Sequence, residues 1–274
     1  MIKLKSIVTL ISCTVIAATV LGDVDPEFSY ETPEYIKSIS TAKALRQYVY
    51  SQNTLDRITA CIRLGEIGGE ASIQILIEAF NKEPHGSAAE AVKFHALLSI
   101  GKIGGARAEK FLTEIAMNYS ENINNSTQAF GIKDSLAALR GSFQGLYEIG
   151  SSSTIAALDS IFKNQNYYWF VRSLANLQLL KHELRNDSIR TASDSALSLM
   201  ARLRNLGGPY KQFNPNGKIN EGFMVQNNIF YLIYQYRNIT LPYLKEFIVE
   251  LDINDPGIPS LEKLKDDMES NPLK

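Results

Sequence analysis

Three histidines, two cysteines and a short run of serines are the first side chains to weigh as metal ligands or as nucleophiles. His182 stands beside Glu183, two ligand types in sequence, but His85 sits in the turn Pro84-His85-Gly86 and His95 in a helical run. No spacing joins them into a tetrahedral or octahedral set, so no metal is expected. His182 reads instead as a surface residue near a helix end, where its charge suits the helix dipole. Cys61, between Ala60 and Ile62, reads as a small buried hydrophobe with no His or CxxC partner to activate it. Ser151-Ser152-Ser153 lies in no Gly-x-Ser-x-Gly elbow; Ser153 or Thr154 is assigned as the cap of a helix starting near Ile155. Gly68-Gly69 and Gly104-Gly105 follow no strand and precede no Lys-Ser/Thr pair, which excludes a phosphate loop. The chain is therefore expected to be no enzyme and to need no cofactor.

What remains is the chemistry of binding. Tyr167-Tyr168-Trp169-Phe170 places aromatic rings all around one helix start, and Phe230, Tyr231, Tyr234 and Tyr236 crowd another. One helix face cannot bury them all. Core packing accounts for most of these rings, while Tyr168, Trp169 and Tyr234 are candidates for an exposed binding subset, since Tyr and Trp offer stiff surfaces with a polar tip. The charge balance bounds the partner: 28 Lys and Arg face 29 Asp and Glu, a net of −1. That excludes a strongly basic nucleic-acid surface and a highly charged disordered chain. With 45% apolar residues, the chain can bury a sizeable core.

The elements that must position these residues come from an internal repeat. Leu64-Gly65-Glu66-Ile67-Gly68-Gly69 recurs as Ile100-Gly101-Lys102-Ile103-Gly104-Gly105 and more loosely as Leu146-Tyr147-Glu148-Ile149-Gly150-Ser151, with spacings of 36 and 46 between the turn glycines. Eight residues past the glycine stand Leu76, Leu112 and Leu158. Before each glycine lies a helical run, and the glycine tolerates the left-handed backbone that ends it. After it, Ile73, Leu76, Ile77 and Phe80 form an i, i+3, i+4, i+7 stripe, which Leu112, Ile115, Ala116 and Tyr119 repeat. Each unit is a pair of amphipathic helices that must stack on its neighbours to bury its apolar faces. Residues 38–51 read as an N-terminal helix, and 167–184 with 189–205 and 221–236 with 241–251 as two further pairs; Pro242 suits the first turn of the last. Residues 118–133 and 206–222 read as loops.

The helix–Leu-Gly-x-Ile-Gly–helix unit at 55–80, 92–117 and 138–163 resembles the HEAT-like repeats of the bacterial phycobilisome-lyase type. The resemblance implies an all-α fold, an α-solenoid of stacked helix-turn-helix repeats. Such arrays mostly bind proteins, and a few are enzymes. HEAT-like deoxyhypusine hydroxylases hold two irons with several His-Glu pairs, whereas only His182-Glu183 is present here. HEAT-like DNA glycosylases need a basic groove that the balanced charge does not provide. In a right-handed solenoid the second helices line the concave face, where Gln74 matches Lys110 in register and Glu78 matches Glu114.

The termini complete the reading. Lys3 and Lys5 precede sixteen uncharged residues from Ser6 to Leu21, too few to span a membrane and followed by Asp23-Val24-Asp25. Residues 1–22 are expected to be a cleaved export signal, 23–37 an extended leader, 38–251 the HEAT-like array and 252–274 a flexible C-terminal tail. The signal opposes a cytoplasmic lyase. Leu10-Ile11-Ser12-Cys13 also fits a lipobox, so membrane contact is expected only through lipidated Cys13 or an uncleaved signal. The functional expectation is an exported scaffold in the periplasm or envelope, binding a protein partner through Gln74, Glu78, Lys110, Glu114, Tyr168, Trp169 and Tyr234. The alternatives are an envelope enzyme with a pocket between the last two helix pairs, beside the 206–222 loop, and a structural subunit of an envelope assembly.

Overall fold

The computed structural model describes residues 33–83, 87–125, 129–186, 191–206, 221–255 and 257–271. The expected signal, Cys13 and His85 lie outside them. The order is α1 (Glu34–Lys37), α2 (Ala42–Leu45), a 3-10 turn (Tyr48–Tyr50), α3 (Thr54–Ile67), α4 (Gly69–Lys82), α5 (Ser87–Ile103) and α6 (Ala106–Asn125). There follow α7 (Ala129–Ile149), α8 (Ser152–Lys163), α9 (Trp169–Asn186), α10 (Ala192–Asn205), α11 (Glu221–Gln235), α12 (Arg237–Glu250) and α13 (Ile258–Ser270). Every regular element among the described residues is helical.

The repeat motif ends its helices by one device used three times. Gly68, Gly104 and Gly150 take φ of 73°, 72° and 61°, a backbone that side chains strain. Each glycine N–H donates to the carbonyl four residues back, on Leu64, Ile100 and Leu146, at 3.0, 3.1 and 3.0 Å. Those three residues are wholly buried, and so are Leu76, Leu112 and Leu158 beyond the turn. Equivalence along the sequence is thus equivalence in space. Each of these side chains stabilises the array by about 1.5–3 kcal/mol on leaving water.

Helices α3, α5, α7, α9 and α11 each pack on the next in a row; α4, α6, α8 and α10 each pack on the row helix that follows. The product is one contiguous helical array. The row closes most tightly where glycine removes a side chain. A Cβ added to Gly65 would lie 2.8 Å from Ser99 Oγ, and one added to Gly101 only 2.3 Å from Gly145 Cα. The two glycines of Leu-Gly-x-Ile-Gly therefore do different work: the second ends a helix and the first lets two helices meet. Cys61 is wholly buried, and loss of solvent pushes its thiol up to about 12, which leaves it inert near neutral pH.

α9 is the most enclosed element, buried from Val171 through Leu180 on all sides. Its polar groups must then find partners. Asn228 of α11 donates its Nδ2 to Ser173 O at 2.9 Å and Asn176 Oδ1 at 2.8 Å. Arg172 Nε donates to Phe162 O at 2.8 Å and so caps the last turn of α8.

Several expectations are corrected. Residues 118–133 are mostly helix, since α6 runs to Asn125 and α7 starts at Ala129; the apolar stripe of α6 carries the polar stretch with it. Residues 38–51 form two short turns and not one helix, because Ile36, Leu45 and Val49 each drop into the core against α3 or α4. The leader contains α1, held by Ile36. The C-terminal stretch is not a flexible tail: Leu261 and Met268 of α13 are buried against α11 and α12, and Lys245 pairs with Glu269 at 2.7 Å. Pro259 sits in the first turn of α13, where a missing N–H costs nothing. Pro242 lies inside α12, because that helix already starts at Arg237. The cap of α8 is Ser151, whose Oγ accepts from Thr154 N at 3.2 Å, in place of Ser153 or Thr154.

His95 on α5 gives the fold a pH dependence. Burial, and secondarily the charge of Lys102, lowers its pKa from 6.5 to about 4. The folded state thus holds the neutral ring, while the unfolded chain takes up a proton as pH falls below 6.5. Its contribution is fully kept above that pH and lost between 6.5 and 4, by roughly 3 kcal/mol in all. Urea titrations at pH 7.5 and 4.5 are expected to show a larger drop for the wild type than for His95→Gln; equal drops refute this assignment.

Candidate functional site

The second helices of the early repeats carry a chain of polar side chains that bind one another. Glu78 of α4 accepts from Arg46 Nη2 at 2.8 Å, from Tyr50 OH at 3.2 Å and from Gln74 Nε2 at 3.0 Å. These donors, Gln74 foremost, hold the Glu78 carboxyl below the ordinary carboxylate range against the opposing effect of partial burial. Arg107 of α6 reaches back to Gln74 and to Glu70, the latter at 2.5 Å. Glu109 of α6 reaches forward and accepts from Ser151 Oγ, at 3.0 Å, and from Ser153 Oγ. The start of the array, α4, α6 and α8 are thereby laced together.

This lacing separates residues that the repeat register makes equivalent. Gln74 and Glu78 are half-buried and committed to internal bonds, whereas Lys110 and Glu114 on α6 are exposed. The aromatic candidates divide as well. Tyr168 is 50% exposed. Trp169 is half-buried, 5.7 Å from the Tyr168 ring and 5.8 Å from Phe170 in an edge-on contact. Tyr234 is half-buried, its ring 4.7 Å from the Arg237 guanidinium, whose Nη1 also donates to Tyr234 O. Tyr168, Lys110 and Glu114 are the sequence candidates that solvent reaches most freely; Tyr234 sits apart on α11.

Among the described residues, recesses lie at two places in the C-terminal half. One, of about 250 Å³, stands where a pocket between the last helix pairs was expected, at the Leu206 end of α10. Arg204 enters it already paired with Glu250 and stacked 5.4 Å from the Phe247 ring. Its lining residues place no nucleophile beside a base. The other, of about 340 Å³, opens at the opposite end, among the last turns of α7, α9 and α11 and the starts of α10 and α12. Tyr147, Lys181, Arg185, Tyr236 and Ile239 line it, and sequence reasoning named none of them as a site. The signal was present, however: Tyr147 replaces the glycine found at Gly65 and Gly101.

His182 contacts Asn186, Nδ2 to Nε2 at 2.7 Å, and packs near Gly150. Among the described residues, no three of His, Cys, Asp and Glu stand together as a metal cluster would require, and no helix is long and apolar enough to cross a membrane. Compared with protein-family models and with curated proteins, the chain finds no match.

Proposed function

We propose that this protein is an exported, non-catalytic scaffold, a HEAT-like α-solenoid that holds a protein partner along its second helices. The observation carrying this reading is the surface of α4, α6 and α8. Bonds between successive repeats hold it stiff, and Lys110 and Glu114 project from it into solvent. Helices already tied to one another lose little backbone freedom on association, so modest contacts suffice. One cation and one anion a helical turn apart suit a polar protein surface of mixed charge, not a polyanion. Tyr168 supplies an exposed ring of the kind that anchors interfaces. Residues 1–22 fit the route to the envelope.

Photo-crosslinking in the producing cell tests the proposal. A benzophenone side chain is placed at Lys110, Glu114 or Tyr168, and at Glu66 as a control on the opposite row. One partner is expected from the first three positions and not from Glu66, with K110E/E114K lowering its yield at least tenfold. Equal yields from Glu66, or no crosslink at all, overturn it. The mature chain in the same preparation is expected to start at Asp23.

A further inference from the structure

The repeat breaks at one interface, and a cleft opens there. Along the row, α3 meets α5 where Gly65 faces Ser99, and α5 meets α7 where Gly101 faces Gly145. These are small groups on small groups. Tyr147 occupies the equivalent position in the third repeat, three residues before its turn glycine. Opposite it on α9 stand Lys181, Leu184 and Arg185, all large. Tyrosine cannot enter a contact that elsewhere rejects even a Cβ, and at this end of α7 it is the Arg185 side chain of α9 that meets Tyr147. Beside this contact, among α9, α10, α11 and the start of α12, lies the 340 Å³ cleft.

Its walls are chemically divided. Lys181 and Arg185 bring two cations to the wall formed by α9. The Arg185 guanidinium is held in place, with Nη2 donating to Tyr147 O at 3.0 Å and the group lying 4.5 Å from the Tyr147 ring centroid. Facing the cations are Leu199, Leu232, Tyr236 and Ile239. Tyr236 is 47% exposed and Ile239 37%, so part of the apolar wall meets water at the mouth. Both belong to the start of α12, which no side chain caps. A cavity of this size is at the small end of ligand pockets.

We infer that this cleft binds a small organic acid: a single carboxylate, held by Arg185 and Lys181, on a short aromatic or branched apolar body that covers Tyr236 and Ile239. A guanidinium fixed in place recognises a carboxylate better than a mobile cation, because less freedom is lost on binding. The apolar wall explains why a bare inorganic anion is not the ligand: it would leave Tyr236 and Ile239 in water. This site stands apart from the partner face, and either can fail without the other.

Calorimetric titration of the full chain with 4-phenylbutyrate, beside its neutral amide, tests the inference. The acid is expected to bind, with at least tenfold weaker binding of the amide and of the acid to Lys181→Met/Arg185→Met. Tyr236→Ala, which leaves both cations, is expected to weaken the acid about fivefold or more and to spare folding. If the double variant does not fold, as its circular dichroism would show, the acid–amide contrast and Tyr236→Ala decide. No binding, binding that ignores the carboxylate, or tighter binding of acetyl-Phe-Leu with a free C-terminus than of the small acid each overturns it.

Discussion

Arg57→Met is expected to destabilise the protein by about 3–5 kcal/mol, the range for breaking a buried ion pair from one side. Arg57 grips Glu83 with two bonds, Nε to Oε2 at 3.1 Å and Nη2 to Oε1 at 2.9 Å. The side chains are 13% and 3% exposed, so water reaches little of either group. The same guanidinium donates from Nη1 to Ser51 O at 2.8 Å and Gln52 O at 3.3 Å, tying the entry turn to α3. Glu83 caps the end of α4, and Arg57 therefore joins the entry turn and α3 to a position 26 residues further along the chain. Methionine keeps much of the stem and removes every donor. Urea unfolding measures the loss, and Arg57→Met/Glu83→Met supplies the control: removing both charges is expected to restore most of the stability. A loss below about 1 kcal/mol in the single variant would show that Glu83 finds water or another donor without its partner.

Gly101→Ala is expected to cost about 3 kcal/mol, although alanine favours a helix over glycine by roughly 1 kcal/mol. The added Cβ would lie 2.3 Å from Gly145 Cα and 2.5 Å from its carbonyl oxygen. Both obstacles are backbone, so α5 and α7 must move apart along a contact that also buries Leu97, Leu139 and Phe143. Gly65→Ala provides an ordered comparison. Its nearest obstacles are Ser99 Oγ at 2.8 Å, which can turn aside, and Ser99 Cβ at 2.9 Å with Cα at 3.2 Å, which cannot, though they lie farther off than the Gly145 backbone does from Gly101. Its loss is expected to be smaller than that of Gly101→Ala. The reverse order in thermal unfolding would mean that the row is held elsewhere.

Legibility in the sequence followed the range of the interaction. The turn glycines, the buried leucine or isoleucine four before them and the leucine eight after, and the helix pairs through residue 251 were readable, because each depends on neighbours within a few turns. Gly65 and Gly101 were visible as repeated letters, but their purpose required the facing helix. The asparagine-rich end of α6 and the proline-bearing α13 were misread for a related reason. Local composition favoured loops there, whereas Leu261 and Met268 gain their stability from α11 and α12. Among the candidate site residues, Gln74, Glu78, Lys110 and Glu114 share one register, and only the approach of Arg46, Tyr50 and Arg107 separates the bonded pair from the exposed one.

Periodicity and punctuation alone set out an all-helical repeat with a shared turn, since a helix reports its buried face through residues three and four apart. Which surfaces stay open was a matter for the assembled array. Whether Tyr147 becomes core or the wall of a cleft depends on how near α9 comes, and that distance is set by the sizes of side chains on two helices some thirty-five residues apart. Steric exclusion acts between segments that the chain order does not place together, so only the folded arrangement settles it.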